Sequence, residues 1–338
     1  MQQKREKSYV SAQTVAERAG VSRSAVSRTF TDGASVSETT RRKVLDAAQE
    51  LGYHVNQLAR GLISEQSNIV SLVAADLGSP FQSRMIELLT YRLQAHNKVA
   101  MVINTAGDQE SVERALRQTL HYRADATIIL SGTPPSSLID TCLANGQYLV
   151  LVNRSEQIKN IDRVSADNES GAREAFQLLK RAGCTRMSVI SSEAGTPSLV
   201  AREKAFAKAA QQARIPVQII RAGPTAYQTG VEAARQLLSR AERPDAAFCV
   251  TDLLALGFMD AARNEFGISI PRELCVMGFD DIEQASWEAY GLTTIKQAVE
   301  RMTDRIIELV LQRGEAPRLH APEVFDVRPV WRRSVRSG

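Results

Sequence analysis

Arg23, Ser24, Ser27 and Arg28 lie within six residues of one another. At 3.6 residues per turn they share one face of a helix. An arginine fork matches the O6 and N7 acceptors of guanine, or a phosphate, and a serine hydroxyl reaches a base edge or a phosphate. That is the chemistry of reading a polyanion. A second set is spread over the rest of the chain: Asp76, Phe81, Ser131, Asn153, Arg202, Thr251 and Asp280. A carboxylate accepts two hydroxyls, a guanidinium donates a fork of hydrogen bonds, and an aromatic ring stacks on a sugar face or a flat ring. That is the chemistry of holding a small polar molecule. Chemistry that makes or breaks bonds finds no support. There is no G-x-S-x-G elbow, no Walker A sequence and no G-x-G-x-x-G fingerprint. The stretch Asp76-Leu77-Gly78-Ser79 offers a single glycine to a phosphate, and His54, His96, His121 and His320 are scattered. No catalytic residue, cofactor or metal ligand is therefore expected.

The polyanion-reading residues need a short rigid helix. Ser11 is placed to cap a helix from Ala12, with Val15, Ala16 and Ala19 at helical spacing and Gly20 ending it. Ser22 caps the next helix, from Arg23 to about Phe30, with Ala25, Val26 and Phe30 inward. Asp32-Gly33 breaks it. Ser37 caps a third, in which Val44, Leu45, Ala48 and Leu51 form the apolar stripe before Gly52. Three short helices with a tight turn between the first two describe a helix-turn-helix whose second helix enters a major groove. The bland alternative is a small helical bundle with a polar surface.

Charge agrees with the first reading. Residues 1–60 hold ten Lys/Arg and six Asp/Glu, so the whole formal excess of +4 lies there. A basic head on a neutral body suits a polyanion partner, although a solvated basic surface has the same composition. The 338 residues leave room for two or three domains. No uninterrupted apolar run reaches a membrane-spanning length, and no apolar segment follows Met1-Gln2-Gln3-Lys4, so neither membrane insertion nor a secretory signal is expected. Cys142, Cys184, Cys249 and Cys275 lack metal-ligand spacing and read as buried thiols of a reducing compartment.

Taken together, Thr14-Val15-Ala16-Glu17-Arg18-Ala19-Gly20-Val21-Ser22 followed by Ala25-Val26-Ser27-Arg28 resembles the DNA-binding signature of the lactose-repressor/galactose-repressor family. Val36-Ser37, Thr40-Arg41, Val44 and Ala48 through Leu51-Gly52-Tyr53 continue the likeness. So do Asp252, Ala255-Leu256-Gly257, Gly278-Phe279-Asp280-Asp281 and Leu292-Thr293-Thr294-Ile295, in unbroken order. The resemblance implies a bacterial, cytoplasmic, nucleoid-associated regulator, acting as a homodimer on a pseudo-palindromic double-stranded operator under control of a sugar or sugar-derived effector. DNA contacts would come from Ser11, Arg23, Ser24, Ser27 and Arg28. In the hinge, Leu62 would wedge between bases in the minor groove, with Ala59 close to the groove and Asn56 near its edge. Gln57 to Leu62 is too short to hold a helix unaided, and Gly61 weakens it further, so ordering would need a partner; a disordered linker is the alternative. Arg202 and Asp280 become the leading effector contacts, then Asn153 and Phe81. Asn153 stands where sugar binders of the family often carry Asp, and Thr251 where Asn is common.

The body supplies the frame. Short apolar runs at Ile69–Ala75, Ala100–Ile103, Ala126–Leu130 and Tyr148–Val152 alternate with helices starting near Pro80, Ser111 and Pro135. The pattern then resets, with strands at Met187–Ser191, Val217–Ile220, Ala246–Val250 and Leu274–Met277. Two successive sets imply an α/β core of two doubly wound subdomains, like periplasmic binding proteins, with the ligand at the strands' carboxyl ends. The expected division is residues 1–52 as helix-turn-helix head, 53–66 as hinge and 67–338 as core. Within the core the first subdomain takes about 67–165 and 298–327, the second about 166–297 and 328–338. The tail after Trp331 lacks leucine heptads, so no coiled-coil tetramer is expected. Asp280 as a loop cap, Phe81 as a core aromatic, and Asp167-Asn168 as a helix cap are the structural alternatives at those positions. A ligand-delivery protein or a DNA-bending architectural protein are the rival functions.

Overall fold

The computed structural model describes residues 10–31, 33–55, 66–132, 134–154, 161–312 and 321–337. Two compact units part between Ser67 and Asn68. Among the expected DNA contacts, Asn56, Ala59 and Leu62 lie outside the described residues, as does Asp32 of the Asp32-Gly33 helix break.

In the first unit, α1 spans Ala12–Ala19, α2 Arg23–Thr29 and α3 Glu38–Leu51. Each has a serine N-cap. Ser11 accepts from Thr14 N at 3.1 Å, Ser22 from Ala25 N at 3.2 Å and Ser37 from Thr40 N at 3.2 Å. Gly20 takes φ +66°, a left-handed conformation costly for other residues, and lets Val21 N reach back to Ala16 O at 3.0 Å. That bond ends α1 and turns the chain into α2 within three residues. Val15, Ala16, Val26, Val44, Ala47 and Ala48 form the core, with Phe30 and Tyr53 packed at its edge, ring centroids 5.7 Å apart. One inward position differs from expectation. Leu45 is 45 % exposed, and Ala47 takes the buried place on α3. Ala47 packs with Val15, Ala16, Val26 and Val44 in the shared core, on the face of α3 opposite the solvent-exposed Leu45 side chain.

The second unit begins with β1 (Ile69–Ala75), α4 (Pro80–Ala95), β2 (Val99–Thr105), α5 (Gln109–His121), β3 (Ala126–Ile129), α6 (Ser136–Ala144), β4 (Tyr148–Val152) and β5 (Asp162–Ala166). It continues with α7 (Asn168–Arg181), β6 (Met187–Ser191), α8 (Pro197–Gln212), β7 (Val217–Arg221), α9 (Tyr227–Leu238), β8 (Ala246–Cys249), α10 (Asp252–Asn264) and β9 (Cys275–Asp280). The tail adds β10 (Thr293–Lys296), α11 (Val299–Leu311), β11 (Glu323–Phe325) and β12 (Arg328–Val330). Two six-stranded sheets result, in the orders β11-β5-β4-β3-β1-β2 and β12-β10-β9-β8-β6-β7. The first is parallel throughout, and in the second only β12 runs antiparallel. Strands such as β1 and β4 are buried along their whole length, which is why they read as unbroken apolar runs.

Each sheet has its own core. Leu72, Leu89, Val150, Met302 and Ile306 fill one face of the first sheet, and Val112, Leu116, Ile129 and Ile139 the other. Phe176, Phe206, Phe248 and Phe258 anchor the second, with Phe206 stacked on Phe248 at 4.8 Å. The chain passes between lobes three times: after Ala166, through Gln297-Ala298, and between Phe325 and Arg328. Asp167 N donates to Phe325 O at 2.9 Å, so the first and third passages are joined. Gly171 makes room there, since a Cβ on it would stand 2.7 Å from Phe279 and 2.8 Å from Val327.

Candidate functional site

On the first unit, Arg23, Ser24, Ser27 and Arg28 are exposed, while Val26 and Thr29 on the opposite face are buried. Ser22 Oγ lies 2.9 Å from Ser24 Oγ, and Arg41 Nη1 donates to Thr29 O at 3.0 Å, pinning the far end of α2 to α3. The helix thus presents two guanidinium groups and two hydroxyls from a rigid mount. Ser11 is exposed beside them in sequence but spends its oxygen on capping α1.

In the second unit, all seven residues singled out for ligand binding line one cavity of about 410 Å³ between the lobes. Position in the fold explains why. Asp76 follows β1, Ser131 follows β3 and Asn153 follows β4; Thr251 follows β8, and Asp280 is the last residue of β9. Strands that run parallel deliver all their carboxyl ends to the same edge. Asp76 (φ +53°) and Asn153 (φ +55°) turn the chain sharply there. Phe81, in the first turn of α4, is half-buried; it packs on the cores of both lobes and still faces the cavity. Gln82 Nε2 donates to Ser131 Oγ at 3.0 Å. Asn153 Oδ1 accepts from Ala166 N at 3.0 Å, which commits its carbonyl end to the sheet. Thr251 caps α10 through its hydroxyl oxygen, leaving the hydroxyl proton for another partner.

The centre of the cavity wall is an ion pair. Arg202 on α8 is 2 % exposed and Asp280 8 %. Arg202 Nη1 donates to Asp280 Oδ1 at 3.0 Å and to Val250 O at 2.7 Å, Nε donates to Asn168 Oδ1 at 2.8 Å, and the guanidinium sits 3.6 Å above the Phe279 ring. Asp280 Oδ1 accepts again from Gln297 Nε2 at 2.7 Å. Burial pushes the Asp280 carboxyl up and the Arg202 guanidinium down, and each charge opposes the shift of the other. Among the described residues Arg202 Nη2 and Asp280 Oδ2 make no hydrogen bond and are not closed off inside the protein, so N–H donors of the guanidinium and an acceptor oxygen of the carboxylate remain. A pair of neighbouring hydroxyls satisfies that arrangement.

Behind the pair, Asp252 is fully buried, accepting from Ile282 N at 2.9 Å and Thr294 Oγ1 at 2.5 Å. Burial first, and then the charge of Asp280, raise its carboxyl to about 7. Two residues hold the Arg202–Asp280 pair from the passages between lobes: Asn168 at the first and Gln297 at the second. Asp167 caps α7, as its position suggests, but Asn168 does not; it grips Arg202 instead. Gln297 went unread in the sequence. Its signal is a polar residue one step beyond a buried strand end, the same rule that marked Asp280. Asp108 also lines the cavity, and the Ser111 backbone N–H holds its carboxyl below the usual range.

A helix-turn-helix head joined to a two-lobed core with a polar cleft defines a DNA-binding regulator with a small-molecule sensing domain. Two family models match the chain: "Bacterial regulatory proteins, lacI family" over residues 11–56 and "Periplasmic binding protein-like domain" over residues 176–335. The HTH-type transcriptional regulator GalS of Salmonella typhimurium is 30% identical over 305 residues, covering 90% of this chain and 89% of that protein. Catabolite control protein A of Priestia megaterium is 28% identical over 286 residues, 84% of this chain and 86% of that protein. The chain belongs to the LacI family of bacterial transcriptional regulators. Among solved structures, the Lac repressor dimer bound to operator and an anti-inducer superposes with a TM-score of 0.87 at 25% identity, covering 97% of this chain and 99% of that one. The transcriptional regulator CelR in complex with cellobiose superposes with a TM-score of 0.70 at 26% identity, covering 96% and 99%. No helix among the described residues is long and apolar enough to cross a membrane.

Proposed function

We infer that this regulator is a repressor whose affinity for its operator is set by a small polyhydroxylated effector, a sugar or sugar derivative, held between the lobes. The observation that carries the reading is the buried Arg202–Asp280 pair, which lines the cavity with Nη2 and Oδ2 unbonded and which Asn168 and Gln297 tie to two passages between lobes. A diol that engages Nη2 and Oδ2 acts on the strands about which the lobes rotate. The first lobe carries Asp76, Phe81, Ser131 and Asn153 and closes on the same ligand. Its first strand begins four residues after residue 65, so its movement is passed to the segment carrying Asn56, Ala59 and Leu62. The effector then changes DNA affinity by its differential binding to the open and closed cores.

Arg23, Ser24, Ser27 and Arg28 are assigned to the major groove, Ser11 to positioning α1 against the backbone, and Leu62 to the minor groove. The operator-bound Lac repressor is a dimer, which supports a homodimer on a pseudo-palindrome here. Cellobiose on CelR supports a sugar-class ligand. The chain acts without catalysis, in the cytoplasm, on the nucleoid. The test is a thermal-shift panel of sugars, sugar acids, polyols and nucleobases on the full chain, followed by anisotropy on an operator recovered by genomic selection. One ligand at a hundred times its Kd should stabilise the core by about 2.7 kcal/mol and shift operator affinity. A panel without any stabilising compound overturns effector control and leaves an architectural DNA-binding protein.

A further inference from the structure

We propose that the effector is a polyhydroxylated acid of the aldonic class: a carboxylate, a hydroxyl on the neighbouring carbon, and a chain of hydroxyls beyond it. The assignment rests on the effector reading above and narrows it. Strand order divides the cavity into two ends. β3 and β4 of the first sheet, and β8 and β9 of the second, lie nearer the passages between lobes than β1, β2 and β6 do. The inner end therefore receives Ser131, Asn153, Thr251 and Asp280, together with Arg202, which is bonded to Asp280. The outer end receives Asp76 after β1 and Asp108 after β2.

The neighbours of the inner end fix its hydrogen-bonding polarity. Ala166 N donates to Asn153 Oδ1 at 3.0 Å, so that amide cannot be turned round, and its Nδ2 keeps its protons for the cavity. An aspartate at this position would offer acceptors only. Thr251 Oγ1 accepts from Leu254 N at 3.4 Å and Ser131 Oγ from Gln82 Nε2 at 3.0 Å, so each hydroxyl keeps a proton to donate. Both residues are more than nine-tenths buried, and both line the cavity. Arg202 adds Nη2. Against these donors stands one unbonded side-chain acceptor, Asp280 Oδ2. A neutral hydroxyl that accepts from one of the donors brings a proton of its own, and a single acceptor is there to take it. A carboxylate brings acceptors only, and its bonds to these donors are charge-assisted. The hydroxyl on the next carbon then donates to Asp280 Oδ2. The charged residues lining this end, Arg154, Arg202 and Asp280, sum to one positive charge, which the carboxylate offsets. At the outer end the polarity reverses. Asp108 Oδ1 accepts from Ser111 N at 2.8 Å, and its second oxygen and the Asp76 carboxylate are suited to hydroxyl donors, which repels a second acid from that end.

The experiment is isothermal titration of the full-length protein with D-gluconate, D-galactonate and D-mannonate, each beside the matching alditol, in which a hydroxymethyl group replaces the carboxylate. Saturable binding of an aldonate is expected, at least about tenfold tighter than its alditol, the factor that one charge-assisted hydrogen bond carries. Asn153→Asp keeps an acceptor for Ala166 N and tolerates the φ of +55°, but sets an oxygen where the donor stood. It should weaken the aldonate by about tenfold or more and leave the melting temperature of the free protein unchanged. An alditol that binds as tightly as its aldonate, or an aldonate held equally well by Asn153→Asp, overturns the inference and leaves the effector reading in place. So does a wider panel in which neutral sugars or nucleobases bind and no aldonate does. If no compound binds in either panel, the effector reading falls and this inference with it.

Discussion

Asp280→Asn isolates the charge at the heart of the cavity. The substitution keeps the shape and keeps Oδ1 as acceptor for Arg202 and Gln297, but leaves the guanidinium, 2 % exposed, without its counter-ion. Breaking a buried pair from one side costs about 3–5 kcal/mol. The retained hydrogen bonds, together with Asn168 Oδ1 and Val250 O on the guanidinium, place this case at about 3 kcal/mol, the lower end of that range. Asn also tolerates the φ of +128° at this position better than Ala would. Urea unfolding read by fluorescence is suited to the measurement, because Trp287 and Trp331 are the chain's two tryptophans and both lie in the second lobe. Arg202→Met should cost a similar amount alone. The double variant should cost about 3 kcal/mol less than the sum, because no unpaired charge remains. The same Asp280→Asn protein should bind operator normally and give a flat effector dose response. A loss below about 0.5 kcal/mol, or strict additivity in the double variant, refutes the idea that the two charges depend on each other. A normal dose response refutes the ligand role of Asp280.

Arg23→Ala should lose about 1–3 kcal/mol at a single base pair of the operator; a uniform loss across all sequences, seen in binding selections, reassigns Arg23 to the phosphates. Leu62→Ala should lower operator affinity in anisotropy assays with effector affinity unchanged, and undiminished operator binding removes the wedge. The Asp252 carboxyl, raised to about 7 in the fold, retains a proton that an unfolded chain releases near pH 4. Stability therefore falls as pH rises from about 4 through about 7 and is level above that. Asp252→Asn, whose amide can still serve Ile282 N and Thr294 Oγ1, should flatten this slope in urea midpoints taken at pH 5 and pH 8; equal slopes in both proteins refute the assignment.

The head was almost wholly legible in the sequence because its information is local. Ser11, Ser22 and Ser37 cap helices that begin at the next residue, and Gly20 ends α1, each through bonds spanning a few positions. The buried strands announced themselves as apolar runs, and their carboxyl ends pointed to Asp76, Ser131, Asn153, Thr251 and Asp280 as one group. Short strands were harder. β5, β11 and β12 carry Asp162, Arg163, Glu323 and Arg328, which break any apolar pattern, and β11 and β12 are three residues each. Only pairing with a neighbour makes them strands.

Amino-acid order alone thus settled the exposed polar face of α2 and the alternation that builds two sheets, since both follow from spacing and backbone preference. Tertiary structure alone decided the partners: Asn168 with Arg202 across 34 positions, Gln297 with Asp280 across 17, and the passages that bring them to one place. Such pairs leave no periodic trace. A polar side chain that caps a helix and one that grips a distant charge are the same residue type in the same kind of loop, and only packing brings the second charge within hydrogen-bond reach.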